Sequence, residues 1–187
     1  MLCTLETIDS AEYKDCVEKQ DSGLSDLMTV WDPEEIETYP TAWSTATPGQ
    51  DQTAHEAKLT ITGTIAMKAT KKPKKMPCIF ETGVYTAKSV GNSWEVEVKT
   101  RIQKTLHNEG FVDALLGRKF LFGFQENDGP TRILGRTTGV TSGFLAMIKK
   151  DSINIVGGDT LGSEKYIEFI VTAKKYLPAV YTGTITY

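Results

Sequence analysis

The residue types that hold metals or attack carbonyls are few in this chain. Cys3, Cys16 and Cys78 are an odd number, and the Cys3–Cys16 spacing has no second pair or nearby histidine to complete a zinc tetrahedron. His55 and His107 stand apart, in neither an H-x3-H nor an H-E-x-x-H arrangement. The thiols therefore read as reduced and partly buried, and no metal or cofactor is expected. Glu95 and Glu97 lie two apart, which puts both carboxylates on one strand face. Such a pair could divide acid and base roles, but it also describes a solvated strand face, and the solvated face is the expectation. Gly-x-Ser-x-Gly, Gly-x4-Gly-Lys and Gly-x-Gly-x-x-Gly are all absent. Nothing in these residues argues for an enzyme, and none is expected.

Charge is the stronger signal. Lys71, Lys72, Lys74 and Lys75 surround Pro73, and a proline excludes a central strand, so this run is expected as an exposed loop. Four lysines can contact phosphates without reading sequence, yet no aromatic residue is interleaved for base stacking. The net charge of −3 conceals a division. Residues 1–40 hold eleven acids against Lys14 and Lys19, a net −9, and the remainder holds 19 lysines and arginines against 13 acids, a net +6. The economical expectation is a contact between subunits, with the lysine run meeting the acidic segment that includes Glu34 and Glu35. The plainer alternative is a solvated loop tip beside a solvated acidic face.

These residues must be positioned by strands. With 187 residues, 40% hydrophobic and 24% charged, the chain can form one β-rich domain with a sizeable core. Residues 1–54 read as an acidic N-terminal arm and loop, and 55–187 as the β-domain. Ala11–Lys19 reads as a short helix, residues 1–40 read poorly as a core, and Asp32-Pro33-Glu34-Glu35 reads as a turn or helix start. Residues 40–54 have loop composition around Trp43. Leu59, Ile61, Gly63, Ile65 and Met67 alternate with threonines as one half-buried strand. Trp94, Val96 and Val98 alternate with Glu95, Glu97 and Lys99 as a second, with Trp94 facing the core. Leu106–Leu116 has helical spacing, with Asn108 as cap and Gly117 as stop. Phe120, Phe122 and Phe124 form an aromatic stripe, expected to pack against the strands around Ile61 and Val96. Asn127–Pro130 turns the chain into Arg132–Gly135, completing a core hairpin. Tyr166–Ala173 reads as a central strand and Val180–Tyr187 as the last. Eight to ten short strands of this kind suit an antiparallel β-sandwich or barrel with one flanking α-helix. No run is long and apolar enough for a membrane helix, and the acidic N-terminus lacks the features of a signal peptide.

Residues 106–187 resemble structural proteins of tailed phages and prophages of the Bacteroidetes type, which form tail tubes or rings. The resemblance rests on Leu115-Leu116-Gly117, Lys119-Phe120-Leu121-Phe122-Gly123-Phe124, Asp128-Gly129, Arg132-Ile133-Leu134-Gly135, a glycine at 139, and Pro178 to Tyr181. It implies a tail-tube-like fold and a homo-oligomeric ring, hexameric in number, joined to other virion proteins of the tail or head-tail neck. It further implies a lumen through which DNA passes, and a location in the virion after assembly in the host cytoplasm. The helix carrying Phe111 would touch the next subunit, and the loops carrying Trp43 and the four lysines would complete the interface. The alternative function is a carbohydrate- or receptor-binding β-sandwich in which Trp31, Trp43 or Trp94 stacks on sugars.

Overall fold

Alternation along β7 (Ser93–Gln103) and β14 (Tyr166–Lys174) builds the first of two facing sheets. The computed structural model describes residues 24, 27–40, 59–79, 82–126, 129–137, 143–157 and 165–187. The two strands pair antiparallel from Tyr166–Gln103 to Lys174–Glu95. β6 (Val84–Val90) flanks β7, and the short β12 (Met147–Ile148) and β13 (Asn154–Val156) flank β14. The β6–β7 turn is Gly91-Asn92, with Gly91 at φ +58°, where glycine carries no Cβ penalty.

The second sheet has six strands. Its spatial order is β3 (Thr60–Ile61), β15 (Ala179–Tyr181), β9 (Thr131–Leu134), β8 (Leu121–Gln125), β1 (Leu27–Trp31) and β5 (Lys74–Pro77). All its pairings are antiparallel except β15 with β3, which is parallel. Two small ribbons complete the described strands: β2 (Ile36–Thr38) with β4 (Ala66–Met67), and β10 (Arg136–Thr137) with β11 (Gly143–Phe144). One helix, α1 (Leu106–Leu115), lies among the described residues. The architecture is mainly β, sandwich-like with a flanking helix; its sheets stay open, so the barrel alternative does not hold.

The main core fills the space between the sheets. Val96, Val98, Ile102, Ile167, Phe169 and Val171 come from one sheet, and Met28, Val30, Phe122, Phe124 and Leu134 from the other. The phenylalanine stripe is buried as its alternation requires, with ring centroids 6.3 Å apart for Phe120–Phe122 and 6.4 Å for Phe122–Phe124. Aromatic pairs at such spacing add roughly 0.5–1.5 kcal/mol beyond burial. The stripe packs in the cluster of Val96, but Ile61 belongs to a second cluster behind the six-stranded sheet, with Trp31, Leu121, Ile133 and Tyr181. The six-stranded sheet is thus covered on both faces, and β8 buries Leu121 as well as Phe122.

Other expectations are corrected by this arrangement. Leu27–Trp31 is no peripheral segment: β1 lies between β5 and β8, with Met28, Val30 and Trp31 buried. Trp31, at 1% exposure, cannot be a sugar platform. Its ring occupies the place a Cβ on Gly123 would take, 2.6 Å away, which is why β8 carries glycine there. The single strand read across 59–67 divides at Gly63, φ +105°, so that β3 joins β15 and β4 joins β2. The last strand ends at Tyr181. Thr105 caps α1 by accepting from Asn108 N at 3.1 Å, while Asn108 is buried and donates from Nδ2 to Gln103 O at 2.8 Å. Gly117, φ +75°, follows the helix end as expected.

Candidate functional site

Three residues expected at a subunit contact are brought together beside α1. Phe111, Ala114 and Leu115 of the helix face Val30, Lys74 and Glu35 across a cleft of about 240 Å³. Asp32, Arg118 and Lys119 add charge of both signs to its rim. Local structure explains the placement. Asp32 caps the 3-10 turn Pro33–Glu35 by accepting from Glu34 N at 2.9 Å, and Pro33 stands at the first helical position, where its missing N–H is harmless. Glu34 is exposed, and its backbone oxygen accepts from Lys68 Nζ at 2.7 Å.

The lysine run is only partly a loop. Lys74 and Lys75 open β5, an edge strand, so Pro73 is tolerated just ahead of it. Pairing with β1 sends Lys74 and Lys75 to opposite faces. Lys71 reaches Glu35 at 2.8 Å, Lys72 Nζ donates to the backbone oxygen of Tyr187 at 2.6 Å, and Lys75 lies 4.8 Å over the Tyr187 ring. Tyr187 also shares a hydrogen bond with Thr29 Oγ1 at 2.6 Å. Lys71 therefore meets the acidic segment inside one chain, while Lys72 and Lys75 engage Tyr187. Trp43 lies outside the described residues, as do Cys3, Cys16, His55 and the Asn127-Asp128 part of the hairpin turn.

The five-stranded sheet offers a different kind of surface. Its outward face is a lattice of ion pairs: Glu95–Lys174 at 2.7 Å, Glu97–Lys149 at 2.6 Å, and Glu168 with Lys99 at 3.0 Å and Arg101 at 2.6 Å. Burial alone would raise the Glu168 pKa, but hydrogen bonds from Arg101 and Lys99 outweigh it and hold the carboxyl below its ordinary value. Glu95 is likewise lowered by its hydrogen bond to Lys174. Glu95 and Glu97 thus each face a separate lysine rather than each other. At one edge of the sheet, β6 exposes all its side chains but Tyr85. Val84 and Val90 are about half exposed, and Lys88 is the strand's one charge. Met147 and Ile155 are exposed at the opposite edge, and Leu106 and Leu116 at the two ends of α1.

No family model matches the chain, and neither a curated protein nor a solved structure matches it. Among the described residues, no helix is long and apolar enough to cross a membrane, and no cluster of His, Cys, Asp or Glu is arranged to hold a metal ion. Cys78 is buried, its thiol donating to Met76 O at 3.3 Å.

Sequence reasoning missed the open edge of β6 and the rim cations Arg118 and Lys119. The run Val-Tyr-Thr-Ala-Lys-Ser-Val carried a usable signal, since a strand with polar residues on both faces and one charge suits an uncovered edge. Trp94 was expected to face the core; it has the parity of Val96 but keeps 38% exposure at the beginning of β7.

Proposed function

We propose that this chain is a structural virion protein of a tailed bacteriophage, not an enzyme, that assembles into a ring or tube of the tail or head-tail neck through which DNA passes. The observation that carries the reading is the open β6 edge. Alternate residues of this seven-residue strand present backbone donors and acceptors on the side away from β7, with no described strand pairing there and a single lysine to discourage pairing. Soluble monomers ordinarily blunt such an edge with charges, proline or a covering segment.

The opposite edge of the same sheet supplies a distinct partner surface at β12 and β13. When one edge of a subunit pairs with a different edge of the next, the contact is head-to-tail, and it closes into a ring when the rotation closes. The apolar ends of α1 and the charged cleft beside it gain if a neighbour covers them. A hexamer is the copy number proposed, in keeping with the resemblance of residues 106–187. Size-exclusion chromatography with light scattering, followed by negative-stain microscopy, tests the reading. Rings or tubes are expected, and a monomer at every concentration overturns it.

A further inference from the structure

The core of the sandwich stops short of both edges of the five-stranded sheet. Along β6, pairing sets Tyr85, Ala87 and Ser89 opposite Val98, Val96 and Trp94, so all three side chains lie on the core face. Tyr85 is half-buried and packs against Phe124, with ring centroids 5.4 Å apart, but Ala87 and Ser89 are exposed. At the opposite edge, Ile155 of β13 pairs with the buried Ile167 and so takes the core face as well. Ile153, two residues earlier, packs against the main cluster, yet Ile155 is half exposed.

Backbone direction selects the same residues. In a strand the N–H and C=O of one residue point to one side, and those of the next residue to the other. Arg101 O accepts from Ile79 N at 2.8 Å, on the side of β7 away from β14. Lys99, Glu97 and Glu95 follow at steps of two, so they bond toward β6 and engage Val84, Thr86 and Lys88. The backbone groups of Tyr85, Ala87 and Ser89 therefore face the open edge. On β14, Ile170 N donates to Ser152 Oγ at 3.1 Å and Ile170 O accepts from Lys149 N at 2.8 Å, so this residue faces the β12–β13 edge. By the same alternation Glu168 bonds Asn154, and Ile155 turns its backbone groups to the open side.

The sense of the strands agrees. β6, β7, β14 and β13 alternate in direction, so β13 runs opposite to β6. A second copy set beside the first in the same orientation meets it antiparallel, as these strands already meet within each copy.

Resting on the ring assembly proposed for this chain, we propose that β13 of one copy pairs antiparallel with β6 of the next, with Ile155 directly opposite Ala87. Directly opposed residues share a face, and a one-residue slip would turn Ile155 to the solvent side. Opposite Ala87, Ile155 is diagonal to Tyr85, where the core of the next copy ends, and the small alanine leaves it room. Asn154 and Val156 then fall opposite Lys88 and Thr86 on the outward face. The joint between copies is a continuation of the hydrophobic core.

Ala87→Cys and Ile155→Cys chains, purified separately and mixed, test the pairing under mild oxidation. A hydrogen-bonded antiparallel pair has its Cα atoms about 5.5 Å apart, within the span of a disulfide. Light scattering first establishes assembly of the parent chain and of the mixture. The expected result is a crosslink between the two engineered positions, identified by mass spectrometry of the linked peptides and absent from the parent. Ile155→Ser should weaken assembly at least about tenfold while Tm stays within a few degrees, because the side chain is half exposed in the monomer. Assembly with crosslinks only between two Ala87→Cys chains, assembly with no crosslink at either position, or unweakened assembly of Ile155→Ser overturns this pairing and leaves ring formation standing. Failure of the parent chain to assemble overturns the ring itself, and the pairing with it.

Discussion

The Lys71 ammonium lies 2.8 Å from Glu35 Oε1, so the lysine-rich run and the acidic segment are joined within a single chain. Lys71 is about half exposed, and exposed pairs contribute roughly 0.2–1 kcal/mol. Lys71→Glu and Glu35→Lys should each lower stability by about that amount, and the double exchange should recover most of it. A urea denaturation cycle measures the coupling; strictly additive losses would show that the pair does not act together. Reversing all four lysines should also release Tyr187, which Lys72 and Lys75 hold. That variant therefore perturbs the monomer and cannot report on assembly alone.

Gly123 illustrates how little room lies between β8 and β1. A Cβ built there falls 2.6 Å from Trp31 Cζ3 and 2.7 Å from Cη2. The ring is buried and sits over its neighbours Leu121, Ile133 and Tyr181 in one cluster, so it has nowhere open to move. Gly123→Ala should destabilise by roughly 1–3 kcal/mol, the range for overpacking a filled core. Chemical denaturation gives the loss, and a shifted tryptophan emission would place it at Trp31. An unchanged midpoint would mean that the ring yields freely.

Tyr181, on β15, ties the six-stranded sheet to Ile65 and Thr184. Its hydroxyl accepts from Ile65 N at 3.0 Å and donates to Thr184 O at 3.2 Å. Tyr181→Phe leaves the buried Ile65 N–H without that acceptor, a change that costs roughly 1–3 kcal/mol. Burial also raises the Tyr181 pKa above its ordinary 10.0. A raised value means that the neutral phenol stabilises the fold below pH 10.0, and that this contribution fades as pH climbs toward the folded value. The phenylalanine variant should lose less stability than the parent across that alkaline interval, read by urea midpoints; identical slopes would refute the assignment.

Glu168 makes the opposite prediction at acid pH. Its folded pKa lies below the ordinary 4.5, so its bonds to Arg101 and Lys99 contribute fully above pH 4.5 and are lost as pH falls through the folded value. Hydrogen bonds to charged groups contribute roughly 1.5–3 kcal/mol. Glu168→Gln should be less stable at neutral pH and show a shallower acid decline. Parallel curves for the two proteins below pH 4.5 would rule out Glu168 as the titrating group.

The parts of the fold that were legible were those with a clean period of two. Val96 and Val98, Phe120 to Phe124, and Ile167 to Ala173 are buried in the alternation that their spacing announces. β1 was illegible because a strand covered on both faces has no polar rhythm, and Leu-Met-Thr-Val-Trp sits amid acids that suggest an exposed arm. Gly63 hid a change of partner within a pattern that looked continuous. At the site, charge complementarity pointed to a contact between subunits, and it could not say that Lys71 would find Glu35 of its own chain while Lys72 and Lys75 engage Tyr187. The pairing of Lys175 with Trp94 joins residues 81 positions apart, a relation that only the topology creates.

The β6 edge provides the test of assembly that the lysine run cannot. Thr86 and Val90 are exposed, lie on the side of β6 away from Tyr85, and have no part in the main core. Thr86→Lys with Val90→Lys adds two charges to an edge that has one, which is the means by which natural edges resist pairing. The residues directly opposite across the β6–β7 ladder are Glu97 and Ser93, neither of them a like charge, and Lys88 lies between the new lysines on the same exposed face, so the monomer should retain its Tm within a few degrees, or about 1 kcal/mol. Light scattering should then show a shift from rings to monomers. Assembly at parental strength in this variant would exclude β6 as the joining edge, and the exposed ends of α1 would become the next surface to alter.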